Sequence, residues 1–187
     1  MSSSPPETAP ALPIADRKAR WRTCIHEGAH MVAGGRLLGQ TTRAAVFNDA
    51  SGVADVGDGE NDVPTSFKDA LVTAAGSAAE FLADLYPPPQ VALPVPLEVA
   101  YPESAGRLLT SVATMMTDDV AVARWCIRGR ETQPDLWAGR HEWVRSGATE
   151  FVIENRHQVI EVATSLYGRG IVSLPAEPAK EGETDAD

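Results

Sequence analysis

The chain has 187 residues, 43% of them hydrophobic and 22% charged. This composition suits one folded domain and excludes a wholly disordered chain, a collagen-like chain and a coiled-coil rod. The formal net charge of −10 argues against a nucleic-acid partner, because such a protein needs a positive surface.

The sequence of the first half of the chain predicts a disordered N-terminal segment, followed by a helix, a β-hairpin and a second helix. Residues 1–14 are rich in Ser, Pro and Ala, and we expect them to be disordered. Apolar residues at helical spacing predict a helix over about 16–38. Two short extended runs, 42–47 and 52–56, flank a segment of turn-forming residues and predict a β-hairpin. A Ser-x-x-Asp capping signal precedes a long Ala-rich helix over 67–86.

The second half predicts a proline-rich insertion, further helices and an acidic tail. Residues 87–103 hold six prolines and cannot be helical, so they form an extended polyproline strip or a surface loop. A helical pattern covers about 104–127, Pro134 opens another helix, and one or two final helices end near Gly170. Residues 175–187 carry five acids against one lysine, which predicts disorder. The folded domain is therefore 15–174, with a mainly α (α+β) fold and one small β-hairpin.

The cellular setting follows from what the sequence lacks. No apolar run approaches the ~18 residues needed to cross a bilayer, and the N-terminus has no basic start followed by an apolar stretch. The two cysteines, Cys24 and Cys126, are too few for a disulfide scaffold and suit a reducing compartment. We therefore expect a cytoplasmic protein without a membrane partner.

The first predicted helix contains the motif His26-Glu27-Gly28-Ala29-His30, which is an H-E-x-x-H pattern. Residues four apart lie on one helix face, so both imidazoles can reach the same metal ion, for which zinc is the typical choice. The Glu27 carboxylate lies beside them and is suited to take a proton from a water on the metal.

A catalytic zinc ion needs a third protein ligand, and the residues alone leave its identity open. A histidine at 36 would extend the motif, but that position is Arg36. The remaining downstream candidates are acids and histidines at five positions: Glu80, Asp118, Asp119, His141 and His157.

The order of short segments resembles the peptidase domain of the FtsH-type, AAA-linked zinc metalloproteases. The resemblance covers about residues 20–175, and outside H-E-x-x-H it depends on four segments in the family's order. These segments are the strand and turn at 43–53, Ala75–Glu80 (A-G-S-A-A-E), Asp118–Val120 (D-D-V) and Glu154–His157 (E-N-R-H) before a short extended end.

The resemblance implies Asp119 as the third zinc ligand, because the family's ligand aspartate precedes an apolar residue, as Asp119 precedes Val120. It also implies a helical zinc-metallopeptidase fold. The chain departs from the family at Ser77, where the family has arginine, and Gly and Ala are exchanged inside the motif. No lysine follows a glycine, so the chain contains no P-loop G-K-[ST].

Together these observations predict an ATP-independent zinc metalloendopeptidase. His26, His30 and Asp119 hold the zinc ion, Glu27 is the catalytic base, and peptides or unfolded protein segments are the substrates. Self-association into a homo-oligomer is left open. The alternative is a catalytically inactive metal-binding or protein-interaction module.

Overall fold

The computed structural model describes residues 14–47, 49–56, 63–94, 117–132 and 139–176. It is mainly helical, as predicted, with a small antiparallel sheet. The described elements are helices α1 (Ile14–Leu38), α2 (Phe67–Ala79), α3 (Leu82–Leu85), α4 (Asp118–Thr132) and α5 (Arg140–Arg169), and strands β1 (Thr42–Val46), β2 (Gly52–Val56) and β3 (Ile171–Leu174). Within this part of the chain, no helix combines the length and apolar character of a membrane span.

Helix α1 is the centre of the fold and packs against α2, α5 and the sheet. Its Trp21, Ile25 and Val32 are almost completely buried, as their helical spacing predicts. Gly28 allows close packing, because a Cβ there would lie 3.3 Å from the backbone nitrogen of Ala163 in α5. The H-E-x-x-H motif therefore sits on a helix that is fixed from several sides.

The predicted hairpin is present, but it belongs to a three-stranded sheet with the order β2-β1-β3. Strand β1 pairs antiparallel with β2 on one side and with β3 on the other. Gly170, with φ of 77°, ends α5 in the left-handed conformation and turns the chain into β3. The short extended end that the family resemblance implies after α5 is present as β3. Its pairing with the hairpin was not predicted, because β3 is distant in sequence and joins the sheet through this helix end.

Helix α2 begins as predicted, since Ser66 and Asp69 form a reciprocal capping box. The prediction of one continuous helix to Tyr86 was wrong. Glu80 and Phe81 interrupt the α-helix with a 3₁₀ turn, as their dihedral angles show, and α3 begins after them. Glu80 therefore lies at the end of α2, at the point where the helix changes geometry.

The two remaining helices, α4 and α5, both pack against α2. Helix α4 packs mainly against α2, and Val122 and Trp125 join a second apolar cluster with Ala70 and Val144. The final helical segment is one 30-residue helix, α5. This arrangement places the first turn of α4 near the middle of α1 and α2.

Several predictions concern residues that are not described, or are described only in part. The described part of the proline-rich insertion, residues 87–94, contains neither helix nor strand, as predicted. It starts beside α1, where the Trp21 indole donates to the carbonyl oxygen of Tyr86 at 2.6 Å. The predicted helix start at 104, the helix opening at Pro134 and nearly all of both predicted tails lie outside the described residues.

Candidate metal centre

The two histidines of the motif face the same point from successive turns of α1. The Nε2 atoms of His26 and His30 are 3.2 Å apart, and the ring centroids are separated by 4.9 Å. His30 is buried, whereas His26 is partly accessible. The i, i+4 spacing therefore brings two nitrogen donors to one position, as the sequence predicts.

The third group at this position is the carboxylate of Asp118, the first residue of α4. Its Oδ2 atom is 3.1 Å from Nε2 of His26 and 3.1 Å from Nε2 of His30. Among the described residues, these three form the group whose donor atoms converge closely enough to hold a metal ion. A negative charge in the first turn of a helix is also favoured by the helix dipole.

The family resemblance implies Asp119 as the third ligand, whereas among the described residues it is Asp118 whose carboxylate reaches this position. The buried face of α4 contains Ala121, Val122 and Trp125. These residues lie three, four and seven positions after Asp118, so they share its face of the helix. Neighbouring residues point about 100° apart, and the side chain of Asp119 lies outside the described part of the structure. Asp118 therefore lies on the inward face of α4, and the predicted role of Asp119 is left to experiment.

The three donor atoms form a nearly equilateral triangle with edges of 3.1 to 3.2 Å. Donor atoms at about 2.0–2.1 Å from a tetrahedral zinc ion lie roughly 3.3 Å apart. The triangle therefore has nearly the size of one face of a zinc coordination tetrahedron. Two imidazoles and one carboxylate are also a donor set that catalytic zinc sites use.

Both imidazole rings are oriented by a hydrogen bond at Nδ1, the ring nitrogen that faces away from the cluster. Nδ1 of His26 is 3.2 Å from Oε1 of Glu80, and Nδ1 of His30 is 2.8 Å from the carbonyl oxygen of Val72. A carbonyl oxygen and an ionised carboxylate only accept hydrogen bonds, so each Nδ1 donates its proton. Because Nδ1 is held as a donor, a ring that gives up its Nε2 proton to a metal ion keeps that nitrogen's lone pair directed at the shared position, as metal-binding histidines require.

The electrostatics of the cluster favour a cation at its centre. Burial alone would raise the pKa of the Asp118 carboxyl, but the charge of His30 and the hydrogen bonds from both rings hold that pKa well below its usual range. Burial alone would lower the pKa of His30, but Asp118, Glu27 and the Val72 carbonyl outweigh burial and raise it to about 9. Without a metal ion the cluster therefore retains a proton, and a metal ion would replace it.

Glu27 lies beside the cluster but is not part of it. The residue is 7% exposed, and burial raises the pKa of its carboxyl against the opposing charges of His30 and His26. Its Oε1 atom lies against the first residue of β2, because a Cβ on Gly52 would be only 2.7 Å from it. The carboxylate is thus held between α1 and the hairpin, as expected for a group that handles protons and does not bind the metal.

A cleft of about 220 Å³ opens beside His26 and Glu27. Its walls come from α1, the turn between β1 and β2, and the end of α2. The lining residues are Arg22, Thr23, His26, Glu27, Ala50, Ser51, Gly52 and Glu80. The cleft therefore brings solvent and small groups to the motif from the side of the hairpin.

The other candidate ligands lie elsewhere. His141 and His157 are exposed on α5, and neither belongs to the described cluster. Glu80 bonds to the back of the His26 ring and not to the cluster, and its other oxygen is 3.6 Å from Nε of Arg22. Sequence reasoning missed the Val72 carbonyl, because a backbone acceptor leaves no mark in the residue pattern.

Comparison of the chain with protein-family models, curated proteins and solved structures gives no match in any of the three. The resemblance to FtsH-type peptidase domains therefore stays a prediction from the short segments that carry it. The case for a metal centre depends on the geometry described above.

Proposed function

We propose that this protein is a zinc-dependent metallopeptidase that acts on peptides and unfolded protein segments. The observation that carries the proposal is the convergence of Nε2 of His26, Nε2 of His30 and Oδ2 of Asp118 within 3.2 Å of one another. Glu27, in the second position of the motif, supplies the proton-handling group that hydrolysis needs.

Each residue has a distinct role in this proposal. His26, His30 and Asp118 hold the metal, and Glu80 and the Val72 carbonyl fix the orientation of the two rings. Bound zinc would supply Lewis acidity toward a scissile carbonyl and a water molecule. Glu27 accepts the proton of the attacking water and passes it to the leaving amine.

The burial of Glu27 suits this proton transfer. A carboxyl with a raised pKa holds a proton more readily than an exposed one, so it can both accept a proton and release it to the amine. The neighbouring histidines oppose this shift, because positive charge beside a carboxyl favours its ionised form.

The sheet offers a binding mode for an extended substrate. Strand β2 is at one edge of the described sheet, with β1 on its other side. Its first residue, Gly52, lies against Glu27. A peptide added alongside β2 would hydrogen-bond to the strand backbone and pass the cleft at Glu27 and His26. Short peptides and unfolded segments can adopt this extended conformation without first unfolding, so they are the substrates that fit.

The alternative is a metal-binding module without peptidase activity. The observation that favours it is the 7% exposure of Glu27, since burial that raises the pKa of a carboxyl leaves less of it in the ionised form that can accept a proton when no metal charge lies nearby. The two functions differ in whether the zinc-loaded protein cleaves peptides.

The test is hydrolysis of an unstructured fluorogenic peptide library by the zinc-loaded protein, its Glu27→Gln variant and a Glu161→Gln control. Glu161 is an exposed acid on α5. We expect cleavage by the wild type and the control and none by Glu27→Gln at equal zinc content. Equal rates for wild type and Glu27→Gln would refute the mechanism. A zinc-loaded wild type that cleaves nothing in the library would favour the binding module.

A further inference from the structure

Gly76 of α2 lies directly against the two histidine donors. A Cβ built on Gly76 would be 2.3 Å from Nε2 of His30 and 2.6 Å from Nε2 of His26. Real Cβ atoms essentially never approach another atom closer than 3.0 Å. The backbone of α2 therefore approaches the donor atoms so closely that any side chain larger than hydrogen would displace them.

We propose that Gly76 is a positioning residue of the metal centre, whose missing side chain leaves the space in which the ion is held. This inference rests on the proposed metal site. A methyl group 2.3 Å from Nε2 of His30 would stand at almost the distance, about 2.0–2.1 Å, at which imidazole nitrogens bind zinc. Alanine at this position would therefore compete with the ion for the same nitrogens without removing any ligand.

The rings cannot easily move away from such a methyl group. Nδ1 of His30 donates to the Val72 carbonyl, which belongs to the same helix as Gly76, and Nδ1 of His26 bonds to Glu80 at the end of that helix. Helix α2 thus orients both rings from behind and also limits the space in front of them. A shift of either ring would break the hydrogen bond that directs its lone pair.

Other helix glycines of this protein have different neighbours, which separates Gly76 from a general packing role. A Cβ on Gly28 would meet the backbone of α5 at 3.3 Å, so that glycine serves helix packing. A Cβ on Gly147 would meet only the flexible end of Leu71, at 3.0 Å. At Gly76 the three nearest atoms all belong to His26 and His30.

A glycine inside a helix also lowers stability relative to alanine. At position 76 this loss of helix stability is offset only if the space left by the missing side chain is occupied by the two imidazole rings. Replacing Gly76 by alanine should therefore have opposite effects on stability in the presence and absence of the two imidazole rings. A glycine needed for packing would have the same effect in both cases.

The first arm of the test measures zinc binding by titration calorimetry and metal analysis for Gly76→Ala and for the matched control Gly147→Ala. We expect zinc affinity to fall at least about tenfold in Gly76→Ala and to stay unchanged in the control. If Gly76→Ala binds zinc like the wild type, the inference is overturned while the proposed function stands. If the wild type binds no zinc, both fail together.

The second arm measures thermal unfolding of Gly76→Ala in two metal-free backgrounds, the wild type and the His26→Ala/His30→Ala double variant. Circular dichroism confirms that each variant is folded. We expect the melting temperature to fall in the wild-type background and to rise by a few degrees in the double variant, where the methyl group meets no ring. A fall of similar size in both backgrounds would show a packing role and overturn the inference.

Discussion

Oδ2 of Asp118 lies 3.1 Å from Nε2 of His30, although the two residues are 88 positions apart in the chain. The contact joins the first turn of α4 to the middle of α1. It completes a set of three donors that neither helix contains alone.

Replacing Asp118 by asparagine should weaken zinc binding by roughly an order of magnitude or more, because a neutral amide replaces a charged ligand. The adjacent Asp119→Asn variant is the matched control, and we expect it to retain wild-type affinity. Titration calorimetry on both variants measures the difference. Loss of zinc in Asp119→Asn with retention in Asp118→Asn would return the role to the residue that the family resemblance implies.

Replacing Glu80 by alanine should weaken zinc binding by about 10- to 100-fold, since the His26 ring would lose the carboxylate that orients it. Arg22→Ala is the control. Arg22 is more than half exposed and contacts the other oxygen of Glu80 at 3.6 Å, and such surface ion pairs contribute little. Equal losses in the two variants would mean that the charge pair, and not the hydrogen bond to His26, maintains the site.

The pH dependence of the metal-free protein should have a definite sign. The pKa of His30 is about 9 in the folded protein against 6.5 for an ordinary histidine. The stabilisation from this shift is complete below pH 6.5 and is lost as the pH rises through 9. Denaturant unfolding of the metal-free protein should therefore show a falling free energy of unfolding over this interval, and His30→Ala should remove most of the slope.

Zinc affinity should show the opposite trend over the same interval. Zinc must displace the proton that His30 holds below pH 9, so the apparent affinity should rise with pH by roughly tenfold per unit. An exposed-histidine variant, His141→Ala, should behave like the wild type. An affinity independent of pH between 6.5 and 9 would mean that His30 does not bind the metal.

Replacing Gly52 by alanine should impair hydrolysis without loss of zinc. The added methyl would lie 2.6 Å from Cγ2 of Thr23 and 2.7 Å from Oε1 of Glu27, so the carboxylate must move. We expect kcat to fall about tenfold or more, because general base catalysis depends on the position of this group. Gly35→Ala is the control, since its Cβ would approach only the Gln40 carbonyl, at 4.0 Å. A Gly52→Ala variant with wild-type kcat would argue against Glu27 as the base.

The local features of this fold could be read from the sequence because they depend on neighbours along the chain. The spacing of His26 and His30 determines that they share a helix face, and the Ser66 and Asp69 pattern determines where α2 begins. The turn-forming residues before Gly52 likewise predict the hairpin. In each case the physical cause acts within a few residues.

Features that depend on distant packing could not be read in the same way. Asp118 and Asp119 are adjacent acids, and the choice between them depends on which face of α4 packs against α2. The apolar residues after them are compatible with either face, and the buried set proves to be the one that follows Asp118. The third strand and the close approach of Gly76 to the histidines also arise from contacts between elements far apart in sequence.

The most direct test of the metal centre is a crystal structure of the zinc-loaded protein with anomalous scattering measured on both sides of the zinc absorption edge. The account predicts one strong anomalous peak at about 2.0–2.1 Å from Nε2 of His26, Nε2 of His30 and Oδ2 of Asp118. A peak held by other residues, or no peak at these three atoms in zinc-saturated crystals, would contradict it.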